Sequence, residues 1–326
     1  MQAATDIKKQ INTPILLLVF NRPDTTAKVF GAIRNAKPRR LYIAADGPRL
    51  WKKGEAEEIA KVREISTAVD WPCEVKILFR NENLGCKNAV SDGISWFFKQ
   101  EQEGIILEDD CLPHQDFFTY CEILLDYYRH DARVSVIAGS NFEKDYMPNG
   151  ASYHFSKYFD PWGWATWRRT WTCYDGQISF WPKWNKSADW NNKLPNKVEQ
   201  KYWKKIFDLT YANKLDTWDY SFIACILAKG GLIARSNVNL VSNIGYGKKA
   251  THTTYEDSKH SNRTVQGTIG KKLKHPKKVA QEESKDFKMF YNRFDDPNLR
   301  MPWLMLNLPM RIVRYIFRTF KSILKL

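Results

Sequence analysis

The 326-residue sequence contains few cysteines, and none of them forms a C-x-x-C pair or another zinc-ligand spacing. Small zinc folds and dithiol redox motifs depend on such pairs, so the sequence speaks against both classes. Scattered thiols are typical of a reducing compartment, and we therefore expect a cytosolic protein with free cysteines. The cysteines are Cys73, Cys86, Cys111, Cys121, Cys173 and Cys225.

The sequence also lacks a glycine-rich phosphate loop. The first apolar run leads into FNRPDTTAK (20–28), which contains no glycine, and G-x-x-x-x-G-K-[ST] does not occur. Nicotinamide dehydrogenases and P-loop NTPases need such loops because their backbone N–H groups approach the phosphates closely. A sugar-phosphate nucleotidyltransferase would be expected to have one as well. We therefore expect phosphates to be bound here by a metal ion and basic side chains.

No early apolar run is long enough to span a bilayer. The longest is ILLLVF (15–20), whereas a spanning helix needs about 20 residues. The N-terminal MQAATDIKKQ is polar and lacks the apolar core of a signal peptide, which again favours a cytosolic chain.

Core-forming residues and positive charge are both plentiful. Hydrophobic residues make up 43% and aromatic residues 14% of the chain, enough for one large domain or two modest ones. The formal net charge of +15 indicates an anionic partner, which can be nucleic acid, a membrane surface or a phosphorylated substrate.

Apolar runs alternate with helical stretches up to residue 139. The runs are typical of strands buried on both faces. This alternation predicts an α/β fold with a mostly parallel sheet flanked by helices. The predicted strands are residues 14–20, 41–46, 74–79, 104–109 and 133–139, and the first helix is expected from an N-cap at Asp24 to about Asn35.

Polar and charged residues follow each predicted strand. Ligands of open α/β sheets bind at the carboxyl ends of the strands, so these residues are expected to gather at one edge and form the site. They are the segments 20–22, 46–49, 80–81, 108–110 and 139–141.

The fourth predicted strand leads into three acids, in GIILEDD (104–110). Adjacent carboxylates repel one another unless a cation neutralises them, and hard divalent ions prefer carboxylate oxygens. Mg²⁺ or Mn²⁺ commonly takes one or two carboxylates together with substrate phosphates, which suits a diphosphate leaving group. The alternative is a solvated acidic turn, or an N-cap for the helix after Pro113.

The remaining chain is less regular. Residues 151–245 are rich in tryptophan, and residues 248–285 are rich in lysine and turn residues, which favours a mobile segment or lid. Residues 300–326 contain six basic residues and no acid, with apolar residues at helical spacing. We predict a basic amphipathic helix there, which binds an anionic membrane surface or docks on the protein body.

Four segments together resemble the GT-A-fold glycosyltransferases: FNRP (20–23), AADGPR (44–49), NENLGCKNAV (81–90) and LEDDCLPHQDFF (107–118). The last is similar to the GlcNAc-transferase-I-like family, and the whole resembles bacterial transferases of the family 2 type. The resemblance implies a GT-A domain over residues 1–255, with a nucleotide-sugar-binding half (14–140) and an acceptor-binding half (141–255). A basic mobile segment (256–299) and the amphipathic helix (300–326) would follow.

The resemblance also implies roles for individual residues. Asp219, in TWDYSF (217–222), would be the catalytic base, and Asp110 and His252 would bind Mn²⁺ or Mg²⁺. The motif is EDD rather than a strict D-x-D, so the division of labour among its acids stays open. The residues implied to bind the nucleotide sugar are Phe20, Asn21, Arg22, Asp46, Gly85, Lys87, Asn88, Glu108, Asp109 and Trp164.

Several of these residues also have structural interpretations. Trp164, Trp167 and Trp171 recur at i, i+3 and i+7 and would line the core as one face of a helix. Asp219 could be the N-cap of the helix SFIACILAKG (221–230), and His252 could be a structural histidine.

The residues and the resemblance together predict an inverting, metal-dependent glycosyltransferase. It would move a sugar from a nucleotide-diphosphate donor, with UDP preferred, to a hydroxyl of a glycan or lipid-linked acceptor. The expected setting is surface polysaccharide synthesis, at the inner face of the cytoplasmic membrane. A retaining mechanism stays open, and a non-catalytic nucleotide-sugar or carbohydrate binder is an alternative. A nucleic-acid-binding protein ranks lower because no RNP-type or helix-turn-helix pattern occurs.

Overall fold

The structure is a computed structural model that describes residues 10–142, 150–245, 269 and 272–294. His252 and the predicted helix over residues 300–326 lie outside the described residues. The strands are β1 Ile15–Val19, β2 Arg40–Ala45, β3 Glu74–Phe79, β4 Glu103–Glu108, β5 Cys111–Pro113, β6 Val134–Ala138, β7 Tyr153–Ser156, β8 Trp164–Trp167, β9 Leu232–Ser236 and β10 Val241–Asn243.

Helices connect most of these strands. They are α1 Pro23–Ala36, α2 Glu55–Thr67, α3 Gly85–Gln100, α4 Gln115–Tyr127, α5 Arg168–Trp171, α6 Trp181–Trp184, α7 Ala188–Lys193, α8 Lys197–Tyr211, α9 Asp219–Lys229 and α10 Glu283–Met289. A π-helical turn, Phe290–Phe294, follows α10.

Eight strands form one sheet in the order β3-β2-β1-β4-β8-β6-β9-β7, and β10 pairs with β5 in a second, two-stranded sheet. β8 and β7 are antiparallel to their neighbours, so the other six strands share one direction. The carboxyl ends of β1, β2, β3 and β4 therefore meet at one edge. This confirms the predicted α/β fold with a mostly parallel sheet flanked by helices, an arrangement that is Rossmann-like, and each predicted strand lies within one residue of its predicted limits.

Helices pack on both faces of the sheet. On one face α1, α2 and α4 bury Phe30, Val62 and Leu124 against the strands. On the other face α3 and α9 bury Phe97 and Phe222. Each large apolar side chain buried in this way contributes about 1.5–3 kcal/mol relative to exposure. The two apolar faces explain why the central strands are continuous apolar runs.

The first helix begins two residues earlier than predicted. α1 opens with Pro23 and has Arg22 at the N-cap position, so the predicted cap Asp24 is its second residue. Proline suits the first helical position because its fixed φ is already helical and its missing N–H would have no partner there. The backbone N–H of Thr26 donates to the Arg22 carbonyl over 3.0 Å and closes the first turn.

The helical interpretation of the three tryptophans is wrong. Trp164 and Trp167 are the first and last residues of strand β8, and Trp171 closes the short helix α5. Three residues apart on a strand, Trp164 and Trp167 belong to opposite faces of the sheet and to different core clusters. All three are buried, so their core role is correct although their secondary structure is not.

Residues 272–294 pack beside β7. Gln281 forms a bridge with Phe155 of β7, and α10 buries Lys285 and Asp286. The β7 edge of the sheet is therefore covered. No helix within the described ranges combines the length and apolar character that crossing a bilayer would require.

Candidate functional site

A cavity of about 480 Å³ opens at the carboxyl ends of β1, β2 and β4. The start of α3 and the segment leading into α9 complete its wall. Three arginines, Arg22, Arg49 and Arg80, line it among the described residues. The acids that line it are Asp46, Glu108, Asp109, Asp110, Asp216 and Asp219. Acids therefore outnumber arginines in the lining, and the ionised lining has a negative formal charge.

The acidic triplet occupies a tight turn between β4 and β5. Arg22 lies against it, pairing with Asp109 and donating from Nη1 to Oδ2 of Asp110 over 2.9 Å. The backbone N–H of Phe20 donates to Oδ2 of Asp109 over 3.2 Å. Asp109 is thus held by donors from the β1 end, while Asp110 and Glu108 are half-buried and line the cavity.

The three carboxylates of the triplet repel one another, and this repulsion contributes to the raised pKa values of Glu108 and Asp109. Burial raises the pKa of Glu108 well above its ordinary value, and the neighbouring Asp110 and Asp109 carboxylates raise it further. Burial also raises the pKa of Asp109, although the Arg22 guanidinium offsets part of the effect. Burial alone would lower the pKa of Arg22, but these carboxylates raise it above its usual range. One guanidinium therefore neutralises a group of three acids incompletely.

The donor set has the chemistry of a hard-cation site. Carboxylate oxygens of Glu108 and Asp110 are ligands of the kind that Mg²⁺ and Mn²⁺ take, and such ions need only one or two of them when phosphates supply the rest. The described residues contain no group of three or more histidines, cysteines or acids that would enclose an ion by themselves. His252, the other predicted ligand, lies outside the described residues.

Asp46 ties the loop after β2 to the loop after β3. Its carboxylate accepts hydrogen bonds from the backbone N–H groups of Leu84 and Gly85, at 3.0 and 3.2 Å, and from Nδ2 of Asn83 at 2.9 Å. Burial raises the pKa of Asp46 even though these donors oppose the shift. Gly47 continues the junction, because a Cβ at this position would collide with the backbone of Glu82. Asp46 lines the cavity, and its oxygens also hold the wall together.

Asn21 and Arg49 share one buried acid at the cavity rim. Glu55, which opens α2, accepts from Nδ2 of Asn21 over 2.7 Å and from Nε of Arg49 over 2.9 Å. Burial alone would raise the pKa of Glu55, but Arg49 and Asn21 lower it to about 2. The Arg49 guanidinium lies 5.2 Å from the centre of the Phe20 ring. Phe20 and Arg49 line the cavity, whereas Asn21 does not and contacts the same Glu55 carboxylate as Arg49.

Of the three predicted residues on α3, only Gly85 lines the cavity. The Lys87 side chain is buried, and its Nζ donates to Oδ1 of Asn213 over 2.9 Å. Asn88 is exposed and donates to the carbonyl of Leu84 over 3.3 Å. Asp216 was not predicted from the sequence, and its Oδ1 accepts a hydrogen bond from the backbone N–H of Lys87 over 3.0 Å. That carboxylate lies over Gly85 and closes the α3 side of the cavity.

Asp219 lines the cavity from the start of α9. The helix has Trp218 at its N-cap position and Asp219 as its first residue, so the N-cap interpretation of Asp219 is wrong. Thr217 donates its hydroxyl to Oδ1 of Asp219. Burial raises the pKa of Asp219 above its ordinary value, which makes its carboxylate a stronger base than an exposed aspartate.

Trp164 lies behind the cavity wall. Its ring stacks on Trp218 with centroids 5.6 Å apart and 22° between the planes. Trp218 lines the cavity, but Trp164 is fully buried and does not. Trp164 can therefore affect a ligand in the cavity only indirectly, by supporting the ring of Trp218.

The second sheet brings residues to the site that the sequence did not indicate. β10 pairs with β5 so that Asn243 lies opposite Cys111, and the backbone N–H of Ile244 donates to the Asp110 carbonyl over 2.8 Å. A Cβ on Gly245 would collide with the Asp110 carboxylate. Glycine is required there by this close approach, since any side chain would meet the carboxylate.

Eight predicted residues line one cavity: Phe20, Arg22, Asp46, Gly85, Glu108, Asp109, Asp110 and Asp219. Asn21, Lys87, Asn88 and Trp164 do not line it, although Trp164 stacks on Trp218 and the backbone N–H of Lys87 donates to Asp216, and both of these partners do line it. The acids are also not caps of the next helix. His114 caps α4, accepting at Nδ1 from the backbone N–H of Asp116 over 3.2 Å.

Comparison with known proteins finds similarity among solved structures alone. No family model and no curated protein matches the chain. The crystal structure of S. aureus TarS 1–349 aligns with 71% of this chain at 9% identity and a TM-score of 0.39, and the chain spans 60% of that protein's length. HddC from Yersinia pseudotuberculosis aligns with 52% of this chain and 86% of its own at 9% identity and a TM-score of 0.31. The inositol-1-phosphate CTP transferase from T. maritima aligns with 70% of this chain and 86% of its own at 10% identity and a TM-score of 0.37. TM-scores this low do not transfer a function from one protein to another. A function for this protein must therefore be inferred from the residues of its cavity.

Proposed function

We propose that this protein is a metal-dependent glycosyltransferase that moves a sugar from a nucleotide-diphosphate donor to an acceptor hydroxyl with inversion. The observation that carries the proposal is the meeting, in one cavity at the carboxyl ends of parallel strands, of Glu108, Asp110 and Asp219 with three arginines. Such a cavity offers anchors for a cation, counter-charges for phosphates and a general base. Its volume of about 480 Å³ lies in the usual range for small-molecule sites.

The reaction requires a base, a leaving group and charge stabilisation. Asp219 would take the proton of the acceptor hydroxyl, whose oxygen forms a bond to the anomeric carbon. The bond from that carbon to the diphosphate oxygen breaks, and the nucleoside diphosphate leaves with the electron pair. The raised pKa of Asp219 supports this role because proton transfer to it is more favourable than to an exposed aspartate.

Charge on the leaving diphosphate needs cations nearby. Arg49 and Arg80 line the cavity, and Arg22 lies at the acidic triplet. A divalent ion at Asp110 would supply Lewis-acid stabilisation of the leaving phosphates when it is bound. Asp109 is engaged by Arg22 and by the N–H of Phe20, so its part would be to hold Arg22 and the turn in place.

A glycan or lipid-linked acceptor would approach the Asp219 side of the cavity, with UDP as the preferred nucleotide of the donor. The net charge of +15 and the basic sequence of residues 300–326 favour a peripheral position on an anionic membrane surface. Surface polysaccharide synthesis on the cytoplasmic side fits these features.

A thermal-shift panel tests the site. UDP, GDP, dTDP and CMP are each added with Mn²⁺ or with EDTA to wild type, to Asp110→Asn and to Asp126→Asn, a control on the exposed face of α4. Ligands that bind only the folded protein raise its melting temperature by mass action. The proposal expects a shift with one nucleotide that needs Mn²⁺, that is lost in Asp110→Asn and that survives in Asp126→Asn.

A transfer assay then separates catalysis from binding. The donor class found in the panel is supplied as a nucleotide sugar, and the released nucleoside diphosphate is measured with acceptor glycans present. Binding without any release, even of slow hydrolysis, would support a non-catalytic nucleotide-sugar binder instead. No nucleotide shift at all would overturn the proposal.

A further inference from the structure

The loop between β2 and α2 presents two large apolar side chains to solvent. Leu50 is 98% exposed and Trp51 is 79% exposed, the largest fractions among the large apolar residues of the described ranges. Neither of them lines the cavity, although the preceding residue Arg49 does. Single exposed apolar residues are ordinary, but two adjacent ones of this size at a loop tip need a partner surface.

The loop is built to hold these side chains outward. Glu55 is buried and accepts hydrogen bonds from the backbone N–H and the guanidinium of Arg49, both at 2.9 Å. The N–H of Lys52 donates to the Arg49 carbonyl over 2.9 Å and closes a turn around Leu50 and Trp51. The Arg49 guanidinium also lies 5.3 Å from the centre of the Trp51 ring. The tip is therefore fixed at its base, and its exposure is not the result of a loose loop.

The chemistry of the tip fits the interface of a bilayer. Its sequence, RLWKK (49–53), combines an aliphatic residue and a tryptophan with three cations and no acid. Tryptophan is enriched at the headgroup level of membranes, and lysine chains extend from apolar surroundings to the phosphates. Lys52 and Lys53 are both exposed. Nζ of Lys52 lies 3.3 Å from Oε1 of the buried Glu55. A two-residue convex tip is also much smaller than a stable protein–protein interface, which buries a broad patch.

We infer that Leu50 and Trp51 insert into the headgroup region of an anionic phospholipid bilayer and turn the cavity mouth toward it. The loop follows β2 at the same sheet edge as the cavity, so a bilayer at this tip would face the site. This contact is distinct from the basic segment 300–326, and the two together would fix the orientation of the protein. The benefit to a lipid-linked acceptor rests on the proposed function, whereas the bilayer contact itself does not.

Vesicle flotation with the full chain tests the inference. Phosphatidylcholine vesicles with and without phosphatidylglycerol are mixed with wild type, with Leu50→Ser/Trp51→Ser and with Tyr127→Ser/Phe287→Ser. The last variant removes two aromatic side chains that are more than half exposed, one at the end of α4 opposite the cavity edge and one on α10 beside β7. The loop variant should lower the partition coefficient by about tenfold or more, and the control should leave it within about twofold.

Two further measurements test the same contact, one of charge dependence and one of tryptophan depth. Lys53→Gln should weaken binding to phosphatidylglycerol vesicles by about fivefold and leave binding to phosphatidylcholine alone unchanged. Quenching of tryptophan fluorescence by bromine-labelled lipid should be smaller in Trp51→Phe than in wild type at equal bound fraction. Unchanged partition of the loop variant, an equal loss in the control, or unchanged quenching in Trp51→Phe would each overturn the inference.

Nucleotide binding distinguishes this inference from the proposed function. Without vesicles, Leu50→Ser/Trp51→Ser should keep the Mn²⁺-dependent nucleotide shift of wild type. A variant that loses the nucleotide shift but keeps its vesicle partition would show that the tip is a base-stacking platform, and the bilayer contact would be refuted. Absence of any nucleotide shift in wild type would count against the glycosyltransferase proposal and leave the vesicle result standing.

Discussion

Arg22 and Asp110 are joined by a hydrogen bond of 2.9 Å, and the same guanidinium pairs with Asp109. This places a fixed cation from the β1 end against the turn after β4. Removal of Arg22 would leave two mostly buried carboxylates unpaired beside Glu108. Arg22→Gln should therefore lower the free energy of unfolding by about 3–5 kcal/mol, measured by urea denaturation. Lys204→Gln, which breaks a half-exposed pair with Asp208 at 2.7 Å, should cost about 1 kcal/mol or less. Equal losses would show that Arg22 does not carry the buried charge.

Asp110→Asn should abolish the nucleotide shift that depends on Mn²⁺ and reduce kcat/KM for sugar transfer by about 10²–10³-fold. The amide is nearly isosteric and can still accept a hydrogen bond from Arg22, so the fold should persist. EDTA should reduce wild type to the activity of the variant and leave the variant unchanged. Full activity of the variant, measured by release of nucleoside diphosphate, would contradict a metal role for Asp110.

Asp219→Asn should separate catalysis from binding. The amide cannot accept the acceptor proton, so kcat should fall by about 10²–10⁴-fold, while the nucleotide shift should stay as in wild type. In wild type, activity should fall with decreasing pH as Asp219 takes up a proton. Because burial raises its pKa, that acid limb should lie above the pH range expected for an exposed aspartate. A pH profile of kcat/KM with no such limb would exclude Asp219 as the base.

His154 should make stability dependent on pH. Burial and the nearby Lys285 ammonium lower the pKa of His154 to about 3, and its Nδ1 lies 2.8 Å from Oδ1 of Asn237. Below its ordinary pKa of about 6.5 the unfolded chain binds a proton that the folded chain does not, so stability falls with falling pH. Between about pH 7 and about pH 5 this group should contribute a loss of about 2 kcal/mol.

The change in the free energy of unfolding with pH, rather than its value at a single pH, identifies the contribution of His154. Urea denaturation at several pH values should show that His154→Gln loses about 2 kcal/mol less stability than wild type between about pH 7 and about pH 5. His130→Gln, a change at an exposed position, should leave the slope as in wild type. A wild-type slope retained in His154→Gln would assign the acid sensitivity to other groups.

The sequence predicted the parts of the fold that depend on local pattern. Largely apolar runs marked β1, β2, β4 and β6, since strands buried on both faces admit few polar residues. β3 is an edge strand that is only partly buried, and its sequence EVKILF alternates polar and apolar residues at its start. The triplet ending in Asp110 was found because charged residues directly after such a run must lie at the sheet edge. Parallel pairing then brought these ends together, as the rule for open α/β sheets requires.

Long-range placement was not predictable in the same way. β8 inserts antiparallel between β4 and β6, and nothing in the spacing of Trp164 and Trp167 indicates this partner choice. Asp216 reaches the cavity through a hydrogen bond to Lys87, 129 residues away in sequence. Gly245 is needed because a separate sheet brings its backbone against Asp110. Such contacts arise from packing between elements that are distant in sequence, so the local sequence around each residue does not predict them.

Trp164→Phe tests whether this residue acts on the ligand or on the core. The indole is fully buried, stacks on Trp218 and has no hydrogen-bond partner for Nε1 among the described residues. A smaller ring leaves a cavity but also removes an unpaired N–H, so the loss of stability should be about 1–3 kcal/mol. Nucleotide-sugar affinity, measured by isothermal titration calorimetry, should stay within about twofold of wild type. Trp218→Phe changes the cavity wall itself and should lower affinity more than Trp164→Phe does. If Trp164→Phe instead weakened donor binding by about tenfold at unchanged stability, Trp164 would contact the donor sugar, as the resemblance to glycosyltransferases implies.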